Sequence, residues 1–227
     1  MKFLPGLGVG DLRGSLGGTT ASRNTYGSYF RIKVTPVNTN TSAQQLVRQR
    51  LANISQAWGG LTANQRLAWI ETAPQWSHTN VFGNQSPLTG FNLFVRLNRF
   101  LLEIGEAQIT DAVQPTSVPG FETLSLTADT TGGSWDAAFT PVIPATIKVL
   151  VYATAPLSAG ISFVKSEFRL IDTVLTGELT PLDLSPEYIA KFGALPPIGS
   201  KSFIRFRSVL IATGQPGAII QSSAIAI

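Results

Sequence analysis

Between residues 41 and 105 the apolar side chains fall at helical spacing. Val47, Leu51, Ile54 and Trp58 lie on one helical face. Thr41 and Ser42 stand before them, with Gln44 and Gln45 three residues on, the order of a capping box. The pattern predicts a first helix that Gly59-Gly60 ends. Thr62 with Gln65 repeats the capping signal, and Leu67, Trp69 and Ile70 predict a second, short helix that Pro74 stops. A join of only a few residues makes the two a helical hairpin. Beyond a polar loop at 76–86, Thr89 caps a third helix whose expected buried stripe is Phe91, Phe94, Val95, Leu101 and Leu102, with Gly105 closing it. Trp58, Trp69, Phe91 and Phe94 are the expected anchors of the helical core.

On either side of this region the period drops to two. Residues 28–34 alternate, with Tyr29, Arg31 and Lys33 on one face and Phe30, Ile32 and Val34 on the other, the pattern of a half-buried strand. Gly17-Gly18 and the stretch 24–27 are turn chemistry, so residues 1–40 are expected to form an extended arm with a short hairpin. Their apolar content is too low for a core, which directs their contacts to another chain. From about residue 111 the runs 121–128, 134–140, 146–154, 161–170, 201–213 and 218–227 are rich in β-branched or aromatic residues, with Gly or Pro in almost every gap. Ser185 as cap, Pro186 at the first position and Gly193 at the end predict one helical turn between two of them. Strands without regularly intervening helices predict an antiparallel β-sandwich of the immunoglobulin or fibronectin kind. The expected class is therefore α+β, with an arm at 1–40, a helical domain at 41–110 and an independently folding sandwich at 111–227.

Composition narrows the chemistry. The 227 residues include no Cys and one His, and only 13% are charged, about half the usual ~25%. Thiol nucleophiles, disulfides and thiolate metal sites are excluded, and no metal, redox group or other cofactor is expected. A surface so poor in ions suits contact with other protein. Residues 1–110 hold ten Lys and Arg against four Asp and Glu, whereas residues 111–227 hold seven against nine, so the basic excess lies on the arm and helices. Pro5, Gly6 and Gly8 interrupt the apolar start, so no signal peptide is expected. No run reaches the ~18–20 uninterrupted apolar residues of a membrane span, and no membrane partner is expected.

Several constellations contain residue types that chemistry uses. Gly6, Gly8, Gly10, Gly14, Gly17 and Gly18 lack the spacing of a phosphate-cradling loop and follow no apolar strand, which leaves a flexible arm as the better account. His78 sits in a polar loop with no acid nearby in sequence, distant partners such as Asp111 or Ser86 aside. Glu122, Asp129, Asp136, Glu167, Asp172 and Glu178 stand among turns and alternating strand faces, where solvated carboxylates are common. Arg13, Arg23, Arg31, Lys33, Arg48 and Arg50, interleaved with Tyr26, Tyr29 and Phe30, have the composition of a nucleic-acid track. With only 17 Lys and Arg in the chain, the favoured account is hydrogen bonding of the arm to a neighbouring subunit. Nucleic acid is not expected as a partner.

The order of short motifs carries one resemblance. Ser22-Arg23-Asn24-x-Tyr26-Gly27-x-Tyr29-x-Arg31 is followed by Pro36-Val37-Asn38-x-Asn40-Thr41-x-x-Gln44-Gln45-x-Val47-Arg48. Trp58, Leu61-Thr62-x-x-Gln65-Arg66-x-Ala68-Trp69 and Leu88-Thr89-Gly90-Phe91-Asn92-Leu93-Phe94 come next. This series, within residues 14–104, resembles uncharacterised proteins of bacteriophage and prophage genomes that look like virion structural components. The resemblance implies a non-enzymatic decoration, head or tail protein of the virion, assembled in the host cytoplasm and partnered by copies of itself and other virion proteins. Arg13, Arg23, Tyr26, Tyr29, Phe30 and Arg31 are then the expected assembly arm. The competing class is a secreted or surface β-sandwich binding module of a bacterium, with the sandwich reading a ligand or glycan.

Overall fold

The computed structural model describes residues 2–3, 12–24, 27–76, 78–79, 83, 85–175, 177–178 and 180–227, and the protein is α+β. Its two compact units are Met1–Phe94 and Val95–Ile227, a division that falls inside the third helix.

The first unit opens with an antiparallel sheet of β1 (Lys2–Phe3), β2 (Gly14–Leu16), β3 (Thr19–Asn24) and β4 (Gly27–Ile32) in the order β1-β4-β3-β2. This is one step richer than a hairpin. The turn between β2 and β3 needs Gly17 at φ 56, a left-handed conformation that a side chain disfavours. Helix α1 (Ser42–Gly60) starts with the expected box: the Thr41 hydroxyl accepts from Gln44 N–H, and the Gln44 side chain accepts from Thr41 N–H. Gly59-Gly60 ends it, as expected. Both glycines are its last residues, and the Arg66 guanidinium donates to the carbonyls of Leu61 and Gly59, meeting acceptors that the helix end leaves open. Helix α2 (Ala63–Thr72) repeats the box with Thr62 and Gln65, and a 3-10 turn over Ala73–Trp76 carries Pro74. The two-residue strands β5 (His78–Thr79) and β6 (Gln85–Ser86) pair before α3 (Gly90–Glu103). Thr89 caps α3 by accepting from Asn92 N–H at 3.2 Å. At its far end Gly105 at φ 75 lets Glu106 N–H reach the Leu101 carbonyl, a Schellman closure.

The buried side of α3 is Leu93, Phe94, Leu97, Phe100, Leu101 and Ile104, rotated from the expected stripe. Phe91 is more than one-third exposed, and Val95 and Leu102 are half-buried. Asn98, fully buried on the same helix, accepts from Ile109 N–H at 2.8 Å and donates to the Ile109 carbonyl, clasping the chain that leaves the helix.

The second unit continues with β7 (Thr123–Asp129), β8 (Ser134–Thr140), β9 (Ile147–Ala153) and β10 (Arg169–Val174). After these come β11 (Leu182–Asp183), α4 (Ser185–Phe192), β12 (Lys201–Leu210) and β13 (Pro216–Ile225). They form two antiparallel sheets, β11-β8-β7 and β10-β9-β12-β13. The expected strand at 161–170 is corrected: 161–168 is irregular, and the strand begins at Arg169 with a register shift between Leu170 and Asp172. Leu126, Trp135, Ala137 and Phe139 from one sheet share a core with Val149, Val151, Ile204 and Phe206 from the other. On the opposite face of the four-stranded sheet, Leu150 and Val209 pack with Phe100, Leu101 and Ile104 of α3. Gly214 is required because a Cβ there would strike the Leu97 carbonyl.

The cap of α4 is a second correction. Ser185 is the first helical residue and not the cap; its N–H donates to Asp183 Oδ1 at 2.9 Å and its Oγ accepts from Trp135 N–H at 2.7 Å. Serine is thus used to tie the helix to β8. Gly193 at φ 91 ends the helix as expected.

Candidate functional site

Two places in the structure gather the side chains that chemistry or recognition would use. The first is the arm. Pairing of β3 with β4 sets Thr20 opposite Arg31, Ala21 opposite Phe30, Ser22 opposite Tyr29 and Arg23 opposite Ser28. Tyr29 and Phe30 are half-buried, whereas Arg13, Arg23 and Arg31 are exposed; Tyr26 lies outside the described residues. Thr19 and Phe30 line two open grooves. One, of about 570 Å3, is lined by Thr19, Phe30, Arg31, Ile32 and Val34. The other, of about 410 Å3, runs along Leu12 to Leu16 and includes Arg13. Leu16 is 88% exposed and Ile32 is 76% exposed, so the arm presents apolar side chains outward.

The apolar face of α1 continues this theme within the same unit. Ile54 is buried, and Trp58 meets Phe91 at 5.7 Å and Phe94 at 5.3 Å between ring centroids. Trp69 packs edge-on against Phe94 at 5.3 Å and is fully buried, as is Phe94. The expected helical face is not buried along its whole length: Val47 is 63% exposed, Leu46 and Leu51 are about half exposed, and Trp58, expected as a core anchor, is only half-buried. The stripe is covered where aromatic rings of α3 reach it and open where they do not. On α2, Leu67 and Ile70 are exposed as well. Arg48, one of the basic candidates, is occupied by side chains of the segment that enters α1: its guanidinium donates to Asn38 Oδ1 at 2.8 Å and to Asn40 Oδ1 at 3.2 Å.

The second place was invisible in the sequence. It lies on the face of the four-stranded sheet that carries Leu150 and Val209, where a cavity of about 250 Å3 is lined by Tyr152, Lys165, Ser166, Phe168, Arg205, Arg207 and Ile219. Arg205 and Arg207 stand two apart on β12 and therefore share a face; Arg205 pairs with Tyr152 of β9 and Gln221 of β13, and Arg207 with Leu150 and Ile219. The irregular segment before β10 supplies the rest. The Arg205 guanidinium lies 3.8 Å over the Phe168 ring and donates to Gln221 Oε1 at 3.1 Å. Arg207 lies 4.8 Å over Phe100. The Tyr152 hydroxyl donates to Glu103 Oε1 at 3.2 Å. Burial first, then the Glu103 charge, push the Tyr152 phenol up to about 12. Burial also lowers both guanidinium pKa values, which marks the cost of keeping charge there. Arginine nonetheless stays ionised. The Nε atoms of Arg205 and Arg207 are buried without hydrogen-bond partners.

The acidic candidates do not gather into a group of three or more among the described residues. Asp129 closes a turn by accepting from Gly132 N–H at 2.7 Å. His78 contributes backbone pairing with Ser86.

Compared with protein families, characterised proteins and solved structures, the chain matches none.

Proposed function

We propose that the chain is a structural component of a bacteriophage virion, a decoration or head or tail protein that works by assembling with copies of itself and with other virion proteins, without catalysis. The observation that carries this reading is the uncovered half of the α1 stripe. An amphipathic helix is stabilised by burying its apolar face, yet Val47 and Leu51 remain exposed about two turns and one turn before Ile54, which is buried. With Leu16, Ile32, Val34 and Val37 on and after the arm also exposed, the first unit presents more apolar surface than an isolated chain needs. Low charge and the motif series between residues 14 and 104 support the same reading.

In this proposal the second unit is a β-sandwich of the immunoglobulin or fibronectin kind. Its support is the strand order: β7, β8 and β11 make one sheet and β9, β10, β12 and β13 the other, with the fourth strand beside the third, and the two inner faces share one core. The buried Trp135 at that core, its ring 4.6 Å from that of Tyr188 and tilted 37° to it, is consistent with such a packing.

Light scattering on the intact chain tests the assembly reading. The expected mass exceeds the 24.2 kDa of one chain, and the variant L16D/V47D/L51D, altered only at exposed positions, should fall to a monomer with an unchanged circular dichroism spectrum. An intact chain that is monomeric at high concentration overturns it. One observation favours the second reading, a surface or secreted binding module: the cationic cavity on the four-stranded sheet, which the assembly reading leaves unused.

A further inference from the structure

The cavity beside Arg205 and Arg207 is formed from separated parts of the chain, and its walls differ in kind. Arg205 is held from both sides, by the Phe168 ring beneath it and by the Gln221 amide oxygen. Arg207 has only a ring, Phe100, against its guanidinium; among the described residues it makes neither hydrogen bond nor ion pair, and its Nε is buried. Lys165, exposed and likewise without a partner among the described residues, stands at the same cavity. Three cations thus face one space of about 250 Å3, and Phe168 and Ile219 give it an apolar side.

Arg207 is half-buried, and its buried Nε–H without an acceptor is costly, because that donor loses water and gains nothing in return. Stacking on an aromatic ring answers the face of the group and leaves its edge unanswered. An oxyanion placed at that edge supplies the acceptors, and the planar fork of arginine matches a carboxylate in two parallel bonds. The size of the space suits a small ligand and excludes a folded chain. The apolar side formed by Phe168 and Ile219 selects among oxyanions, favouring a carboxylate carried on an organic frame over inorganic phosphate.

We propose that this cavity binds the carboxylate of a small molecule, with Arg207 and Lys165 as the charged donors, Ser166 as a neutral one, and Phe168 with Ile219 as the apolar wall. The site is independent of the assembly reading, since none of its residues lies on the arm, α1 or α2.

Isothermal titration calorimetry on the full chain provides the test, with succinate, glucuronate and inorganic phosphate as separate probes. Saturable binding of succinate or glucuronate is expected, and the tighter of the two identifies a free organic acid or a sugar acid as the source of the group. K165M should weaken that binding by about tenfold, the value of one charge-assisted contact of roughly 1.4 kcal/mol. R207M should abolish it, and R207K should restore only part, because the ammonium lacks the fork. Lys165 is exposed, so K165M leaves the thermal midpoint unchanged and remains informative if R207M fails to fold. Absence of carboxylate binding, binding equal in K165M and the parent chain, or binding of phosphate alone overturns the proposal.

Discussion

Replacing Tyr188 by Phe isolates a single hydrogen bond at the centre of the second unit. Tyr188 is fully buried, its ring lies 4.6 Å from Trp135 and 4.7 Å from Phe192, and its hydroxyl donates to the Thr154 carbonyl at 3.0 Å. Phe keeps the ring contacts and removes only the donor. Thr154 is also fully buried, so its carbonyl loses this partner with no ready access to water. Breaking such a pair from one side costs about 1–3 kcal/mol, whereas Tyr188→Ala adds a cavity and costs roughly 3–5 kcal/mol. The reporter is the Trp135 indole N–H, which donates to Ser202 Oγ at 3.0 Å in the same core. In native-state hydrogen exchange, where opening precedes exchange, Y188F should speed that proton by roughly 5- to 150-fold at constant pH. Urea titration should show the same loss of stability. A change below about 0.5 kcal/mol in both assays would mean that the hydroxyl contributes no more than a solvent-exposed one, and the account of this core would be wrong.

Four further outcomes follow from the structure. Trp69→Ala should cost about 3–5 kcal/mol in denaturant titration, and Trp58→Ala distinctly less, because only Trp69 is fully buried. Asn98→Ala orphans the N–H of Ile109 and should cost roughly 1–3 kcal/mol by the same measurement. The Ser185 hydroxyl and then its backbone N–H hold the Asp183 carboxyl below its ordinary range, so its contribution is present above the unfolded value of about 3.9 and is lost as pH falls through the folded value. Asp183→Asn should therefore flatten the acid side of a stability-against-pH curve. The raised Tyr152 phenol has the opposite sign, its stabilisation being present below about pH 10 and lost as pH climbs through about 12, so Tyr152→Phe should reduce alkaline sensitivity in the same kind of titration.

Local signals were legible wherever one short stretch decides the outcome. Thr41 with Gln44 and Thr62 with Gln65 form both bonds of their boxes, and Thr89 caps α3, because a capping box is closed by residues three apart. The end of α1 was legible too, since Gly59-Gly60 reads as a stop and is its last pair; what the stop does not reveal is that Arg66, six residues further on, donates to the Gly59 carbonyl there. The helical face at 47–58 was visible as a face. Whether it is covered was not, since coverage depends on how far the rings of Phe91 and Phe94 reach. The strand expected at 161–170 failed for a different reason. The register shift between Leu170 and Asp172 breaks the alternation of the real strand, while the irregular segment before it happens to be rich in Ile, Phe and Val.

The cationic cavity shows why a site can escape a sequence that names all its residues. Lys165 and Ser166 lie inside the run 161–170 read as strand, and Arg205 and Arg207 alternate with core residues Ile204 and Phe206, so each had an adequate local account as a solvated strand position. Only pairing brings them together. Register places Tyr152 and Gln221 on either side of Arg205, and the departure of 161–168 from the sheet lets Phe168 fold under the Arg205 guanidinium. Had that segment formed the regular strand its composition suggests, Lys165 and Phe168 would point to opposite faces by the period of two, and no shared space would exist. The irregular backbone is thus what allows cation and ring to line one cavity, and the difference between the expected and observed strands is also the origin of the site.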